Sequence, residues 1–422
     1  MISGRKNKLS ILFLVNHFFP EVGAIRTEYE LAKELARRGH KVTVLTTFPR
    51  KYRVPKHIDI TKYKTKRFFI IEKIGPLEII RVKSLLSPRD VLGYRFLELF
   101  SSIVSLFIIG ILKRIGYDVI ICAGDIEFLA SLPGILLKNI KKKPMLTILH
   151  DIHPKALIDI GLVRNKIIIF VLKVIEKFFY AHSDKLVVHS EGNKSLAIEC
   201  GADPRKVEVI YLWADLNKIT PASKLPPFRS KYKGKFIVSF AGVMHYPQGL
   251  DVVIEAARLL REHEKILFIL VGDGPVKNEL IRKCKEYNLK NVVFLPFQPK
   301  EKYIEILQSS DVSLVTLRKE YKQPVVPSKL IEIMAAGCPV ILSVPESSDA
   351  VKIVKKAQCG ICVPPESPKK LAEAILKLYK NRQLAKIMGL RGRKFAEENF
   401  SLKKAVDSYE RVLFELISKL QV

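Results

Sequence analysis

Acidic residues are scarce in this sequence: 42 Asp plus Glu stand against 72 Lys plus Arg in 422 residues, a formal net charge of +30. Such a surplus points to acidic partners, namely nucleic acid, phosphorylated small molecules or an anionic membrane face. A lysine-rich solvated surface is the plain alternative. Helix-turn-helix, zinc-finger and RNP-like patterns are lacking, which sets nucleic acid aside. Cysteine is sparse, six in all, and only Cys359 and Cys362 lie close together. That CxxC lacks two further zinc ligands and does not open a helix, so it reads as packing. Long apolar runs are missing too. A membrane-spanning helix needs about 20 residues, and the uncharged stretch from Leu99 to Leu112 is shorter, fitting a buried helix or one lying in the membrane interface. MISGRKNKLS leads straight into a strand rather than forming a signal peptide. The expected compartment is therefore reducing and cytoplasmic, with the protein peripheral on the inner face of the cell membrane through basic clusters such as KNIKKKP and FPRKYRVPK.

What is present is a globular chain, 48% hydrophobic, long enough for two cores. SILFLV reads as a buried strand, EVGAIRTEYELAKELARRGH as an amphipathic helix with Gly39 past its end, and KVTVLTT as a second strand. This is a βαβ unit of a parallel sheet. The rhythm continues through DVIICAG, PMLTILHD and DKLVVHS, breaks near Trp213 into a segment rich in Pro, Ser and Lys, and resumes at FIVSFAG. From there ILFILVGDGP, NVVFLPF, DVSLVTL and PVILSV alternate with helical patterns. The expectation is an α/β protein of two doubly wound Rossmann-like domains facing across a cleft: residues 1–214, a linker 215–234, residues 235–400, and a terminal amphipathic helix over 401–422 packing back toward the first domain. Ligands of such sheets bind beyond the carboxyl ends of the strands.

One stretch combines burial with charge. In VPSKLIEIMAAGCPV, Ser328 reads as an N-cap behind Pro327, Ile331, Met334 and Ala335 fall on one helical face, and Gly337 ends the helix. Lys329 and Glu332 stand one turn apart at its start. An i, i+3 ion pair on a capped helix explains them without function. The alternative is an anion site, because a helix N-terminus beside a sheet edge offers free N–H groups and a positive dipole end.

GDGP after a strand, NVVFLPF, PSKLIEIMAAGCPV and RKFAEENFS resemble the carboxyl domain of GT-B-fold retaining glycosyltransferases of family 4 (glycosyltransferase group 1). NHFFPEVGAIRTEYELAKELARRGHKVTVLTT resembles the opening of their amino domain, so the likeness covers nearly the whole chain. Within the family, GVMHYPQGLD and VPSK most resemble the branch of N-acetyl-fucosamine transferases of polysaccharide assembly. The family's two Glu eight residues apart are met only in part: Glu332 matches the second, while Pro324 holds the first position and Glu320 is displaced. Its usual basic pair at the diphosphate is replaced by Val243 and Gln248.

The resemblance implies transfer of a hexosyl or N-acetylhexosaminyl group from a nucleotide-diphosphate sugar to a lipid-linked or glycan acceptor. It implies Glu332 on the ribose hydroxyls, which suits a carboxylate facing a vicinal diol, and leaves Lys329 for the leaving diphosphate. Ser328, Gly242, Gln248, Asp273 and Gly274 would lie near the nucleotide, although GDGP is also a tight turn in any α/β sheet. Phe297 would stack on the base or belong to the core. His150 and Asp151 in HDIHP would contact the donor sugar, with His153 beside them; a capped strand end or a metal pair is the other reading of those histidines. Gly23 with Arg26 behind it would approach a phosphate or sugar, or form a plain loop. No D-x-D stands next to this site, so the expectation is that neither metal nor cofactor is needed. The rivals are a nucleotide-sugar 2-epimerase on the same fold and a catalytically degenerate partner subunit.

Overall fold

The computed structural model describes residues 8–418 apart from 22–25, 51–53, 55–57, 64–66, 86–91, 124–130, 160 and 162. It falls into two units. One gathers the chain up to Ile158, Val163–Ile210 and everything from Val406 onward; the other is Asp159–Leu162 with Tyr211–Ala405.

In the first unit β1 (Ser10–Val15), α1 (Arg26–Arg37) and β2 (Lys41–Thr47) form the opening βαβ unit. β3 (Phe69–Ile74) and β4 (Leu77–Val82) follow as a hairpin. Then come α2 (Leu92–Leu112), β5 (Val119–Ala123), α3 (Leu132–Lys141), β6 (Met145–Ile148), the short α4 (Lys155–Asp159), α5 (Lys166–His182), β7 (Lys185–Val188), α6 (Glu191–Glu199) and β8 (Val207–Val209). The sheet order is β3-β4-β2-β1-β5-β6-β7-β8, parallel throughout except for β3 against β4. The strands are short runs of Val, Ile, Leu and Phe because both faces of a parallel sheet are covered; β5, for example, is buried at every residue. Helix α1 buries Leu31, Ala32 and Leu35 and, unusually, Glu28. It ends where Gly39 adopts φ +98°, a left-handed value that favours glycine.

The second unit contains α7 (Pro227–Lys231), β9 (Phe236–Ala241), α8 (Asp251–Leu259), β10 (Ile266–Val271), α9 (Lys277–Glu286), β11 (Val292–Leu295), α10 (Lys300–Ser309) and β12 (Val312–Thr316). It continues with α11 (Ser328–Ala335), β13 (Val340–Ser343), α12 (Asp349–Ala357), β14 (Gly360–Val363), α13 (Pro368–Lys380) and α14 (Arg382–Asn399). Its six strands are all parallel in the order β11-β10-β9-β12-β13-β14. Strand alternation fills both faces: Phe236, Val238 and Phe240 enter one apolar cluster with Phe268 and Leu270, while Ile237 enters another with Leu267 and Ile269.

The last helix, α15 (Leu402–Ser418), groups with the first unit from Val406 onward. There Glu410 takes ion pairs from Arg38 at 2.7 Å and His40 at 2.9 Å, and Tyr409 is buried. Both Cys359 and Cys362 sit in or against an apolar cluster, and burial pushes the Cys359 thiol up to about 12. Among the described residues no helix is long and apolar enough to cross a membrane.

Candidate functional site

In the second unit the strand order turns at β9, which pairs with β10 on one side and β12 on the other. Such a switch point opens a crevice at the carboxyl ends of the strands. The backbone there is drawn together by three glycines. A Cβ on Gly272 would come within 1.9 Å of the Gly242 carbonyl oxygen, and one on Gly274 within 2.2 Å of the Met244 carbonyl oxygen. GDG is therefore required by the contact between two loops, sealed where the Gly242 N–H donates to Val271 O at 3.0 Å and the Met244 N–H to Asp273 O at 2.8 Å. Gly242 itself adopts φ +149°, a region essentially confined to glycine.

The loop then makes one turn, Tyr246–Gln248, pinned to the end of β12. Thr316 Oγ1 donates to Gln248 O at 2.6 Å, and the Arg318 guanidinium covers the Tyr246 ring at 4.1 Å while bonding Asp251 at 2.7 Å. This presents the Gln248 side chain to Lys329, whose Nζ donates to Gln248 Oε1 at 2.6 Å. The same ammonium lies 4.3 Å from the Phe240 ring centroid and 3.1 Å from where a Gly242 Cβ would be. Among the described residues no carboxylate lies within ion-pair distance of Lys329, and burial pushes its amine down to about 7. His245 shares this environment. Burial, and then the Lys329 charge, hold its imidazole below the ordinary range, and its Nδ1 is buried with no hydrogen-bond partner among the described residues.

Lys329 and Glu332 do not pair with each other. The Glu332 carboxylate takes an ion pair from Lys300 at 2.5 Å, on α10. Ser328 is not the N-cap either: Pro327 holds that position at φ −59°, ψ 131°, Ser328 is the first helical residue, and no side chain caps the helix. The proline sets the entry angle, which leaves the first N–H groups of α11 uncapped beside Lys329.

Other residues fall as follows. Asp273 turns its carboxylate back to the Gly274 N–H at 2.8 Å and stands 3.6 Å from Lys277. Phe297 is 57% exposed, so its ring is not core. In the first unit His150 follows β6 and uses both ring nitrogens: Nε2 is 2.6 Å from Glu28 Oε1, and Nδ1 is 3.0 Å from His189 Nε2. His189 Nδ1 donates to Ile210 O at 2.9 Å, so its Nε2 is the acceptor and His150 Nδ1 carries the proton between them. Burial pushes the His189 imidazole down to about 3. Asp151 and His153 are half-buried in the loop that follows. Arg26 opens α1 and pairs with Glu30 at 2.6 Å. Gly23 lies outside the described residues.

Four residues were invisible to sequence reasoning: Glu28, His189, His245 and Lys300. Glu28, His189 and Lys300 acquire their partners, and His245 its buried place near Lys329, through the fold. The one local signal was a Glu on the buried face of α1, at helical spacing with Leu31, Ala32 and Leu35.

Residues 23–218 match the domain family described as Glycosyltransferase Family 4, and residues 223–395 match Glycosyl transferases group 1. The chain is 24% identical to an uncharacterized glycosyltransferase, MJ1069, of Methanocaldococcus jannaschii, over 97% of this chain and 100% of the relative. It is 25% identical to the putative colanic acid biosynthesis glycosyl transferase WcaI of Escherichia coli, over 87% and 91% of the two chains. The crystal structure of Anabaena Alr3699/HepE in complex with UDP superposes with a TM-score of 0.73 at 17% identity, covering 96% of this chain and 100% of that one. Two doubly wound sheets, the likeness in fold to HepE, and two family matches that between them run from residue 23 to 395 place the chain among the group 1, family 4 glycosyltransferases of GT-B fold.

Proposed function

We propose that the protein is a retaining glycosyltransferase that moves a hexosyl or N-acetylhexosaminyl group from a nucleotide-diphosphate sugar to a lipid-linked or glycan acceptor at a cytoplasmic membrane face. The observation that carries this reading is the Lys329 ammonium, 2.6 Å from Gln248 Oε1 at the β9 switch point, beside the uncapped start of α11. Breaking the glycosidic bond to the donor builds negative charge on the leaving diphosphate while the sugar becomes oxocarbenium-like. Fixed positive groups aimed at that charge stabilise the transition state. Lys329 supplies a point charge and the N–H groups of α11 a dipole end. Since burial disfavours the ammonium in the free protein, an arriving diphosphate restores it, and the interaction strengthens as charge develops.

In this reading Glu332 accepts the ribose hydroxyls, Phe297 offers an exposed face to the base, and Gly242, Ser328, Asp273 and Gly274 line the nucleotide. His150 and Asp151 of the first unit attend the donor sugar, with Arg26 and His153 toward the acceptor. No cofactor beyond the donor is invoked. Uridine diphosphate sugars are the first donors to try, because the HepE structure holds UDP. The test is release of nucleoside diphosphate from a panel of donor sugars with and without acceptor lipid extract. Acceptor-dependent release with the anomeric configuration kept supports the reading. Release of nucleoside diphosphate with equilibration of the donor epimer and no acceptor dependence would mark a 2-epimerase instead.

A further inference from the structure

Two helices of the first unit turn a carboxylate inward and large apolar side chains outward. Helix α2 buries Glu98, Ser102 and Ser105 but shows Phe100 at 67% and Leu112 at 69% exposure. Helix α5 buries Glu176 but shows Ile167 at 74% and Phe170 at 68%. The inward carboxylates are satisfied, Glu98 by Arg50 at 2.7 Å and Glu176 by the Tyr180 hydroxyl at 2.7 Å, so both helices are held in this rotation. Large apolar side chains scattered singly over a surface need no explanation, but contiguous ones mark an interaction face.

The exposed faces belong to neighbouring helices. Leu106 and Ile109 of α2, Ile135 and Leu137 of α3, and Phe179 of α5 enter one core cluster, so the three helices lie on the same face of the sheet. Helix α3 joins α5 where Lys138 Nζ donates to His182 O at 2.7 Å, and it adds exposed Ile140 between them.

The rim decides what the face meets. Within Leu97–Leu112 and Lys166–His182 the only acidic residues are Glu98 and Glu176, both turned inward. The outward polar positions of α5 carry Lys166, Lys173 and Lys177, and α2 runs directly into Lys113 and Arg114, all exposed. A second copy of the same face would set lysine against lysine. An anionic bilayer matches both halves of the pattern, taking the apolar side chains to the acyl boundary and the lysines to its headgroups.

We propose that the α2–α3–α5 face docks the protein on an anionic lipid bilayer, with α5 and α2 lying in the headgroup region. The proposal rests on the reading above, in which the acceptor is lipid-linked, and gives that acceptor its point of approach. The Leu99–Leu112 run recognised in the sequence is half of the surface; α5 is the other half.

The test is sedimentation of the full chain with phosphatidylcholine vesicles, with and without phosphatidylglycerol. The wild type should bind the anionic vesicles at least tenfold more tightly and come off in high salt. Ile167→Ser/Phe170→Ser in α5, and Phe100→Ser in α2, should each weaken vesicle binding at least tenfold with melting temperature and nucleotide-sugar affinity unchanged. Lys173→Glu/Lys177→Glu should weaken only the binding that salt reverses. A wild type that stays in the supernatant with anionic vesicles at low salt overturns the proposal, as do apolar variants that bind like the wild type. Self-association abolished by Phe170→Ser, without vesicle binding, would overturn it in favour of a second copy. Vesicle binding without sugar transfer would count against the proposed activity alone, and transfer to a soluble acceptor without vesicle binding against the docking face alone.

Discussion

The Lys329 ammonium is bound to the side-chain oxygen of Gln248, 2.6 Å away and 81 residues distant in sequence. Gln248 stands where the family resemblance leads one to expect a basic residue, so the sequence there reads as a loss. In the fold the amide instead aims Lys329. Gln248→Ala should therefore reduce turnover while leaving the melting temperature within the small range of a surface substitution, about ±0.5 kcal/mol in stability. Steady-state kinetics beside thermal unfolding checks this, and turnover equal to wild type would mean that Lys329 needs no aiming.

Gly242 makes the same point in the backbone. With φ +149° and Lys329 Nζ 3.1 Å from the place of a Cβ, Gly242→Ala both strains the loop and pushes the ammonium aside. Strain of this kind costs on the order of 1–3 kcal/mol. The melting temperature should fall, and donor affinity with it, as read by calorimetry; unchanged affinity would place the diphosphate elsewhere.

Proton linkage gives a third expectation. Burial holds the free Lys329 amine at about 7, well below its unfolded value, so the unfolded chain binds more protons above pH 7. This lysine's cost to the fold is full below pH 7 and disappears as pH rises toward the unfolded value. A diphosphate favours the ammonium, so near pH 8 donor binding should take up on the order of one proton, and affinity should weaken as pH rises from 7 to 9. Calorimetry in buffers of different ionisation enthalpy measures the uptake. An intact nucleotide sugar is the right titrant, because its diphosphate does not titrate in this range. No uptake in wild type, or equal uptake in Lys329→Met, would contradict the assignment.

Glu332 is tied to Lys300 at 2.5 Å, so its negative charge is already partly answered. Glu332→Gln retains the shape and removes charged hydrogen bonds to a ribose diol worth about 1.5–3 kcal/mol each. Donor affinity should drop at least tenfold in an equilibrium titration, with little change in melting temperature. Unaltered affinity would assign Glu332 to the Lys300 pair alone.

The alternation of buried strands and helices was legible because a covered parallel sheet must be apolar on both faces, as ILFILV of β10 is. Gly272 and Gly274 were legible as a tight turn for the same kind of local reason. Side-chain partnerships were not, since Gln248 and Lys329, or Glu28 and His150, meet only when separate strands deliver them to one sheet edge. The Ser328 cap was misread because Pro327 takes the cap position and fixes the entry to α11. The apolar KIIIFVLKVIEKFF of α5 was overlooked since an apolar run announces burial, and only the fold reveals that Ile167, Ile168, Phe170 and Val171 face outward.

In the first unit, His189→Leu removes the acceptor that holds His150 Nδ1. Turnover should fall while nucleoside diphosphate affinity stays within about twofold, a difference below roughly 0.5 kcal/mol. A loss of nucleotide affinity equal to the loss of turnover would show general unfolding rather than mispositioning of His150.

The most direct measurement is single-turnover sugar transfer by Lys329→Ala at saturating donor, with and without chelator. By analogy with removal of one oxyanion donor, transfer should be about 10²–10³-fold slower than wild type. Lys329→Arg should restore only part of it, because a planar fork does not replace a compact charge, and chelator should change neither protein. Near-normal transfer by Lys329→Ala, together with chelator-sensitive transfer by the wild type, would contradict the account, since a metal would then carry the charge assigned to Lys329.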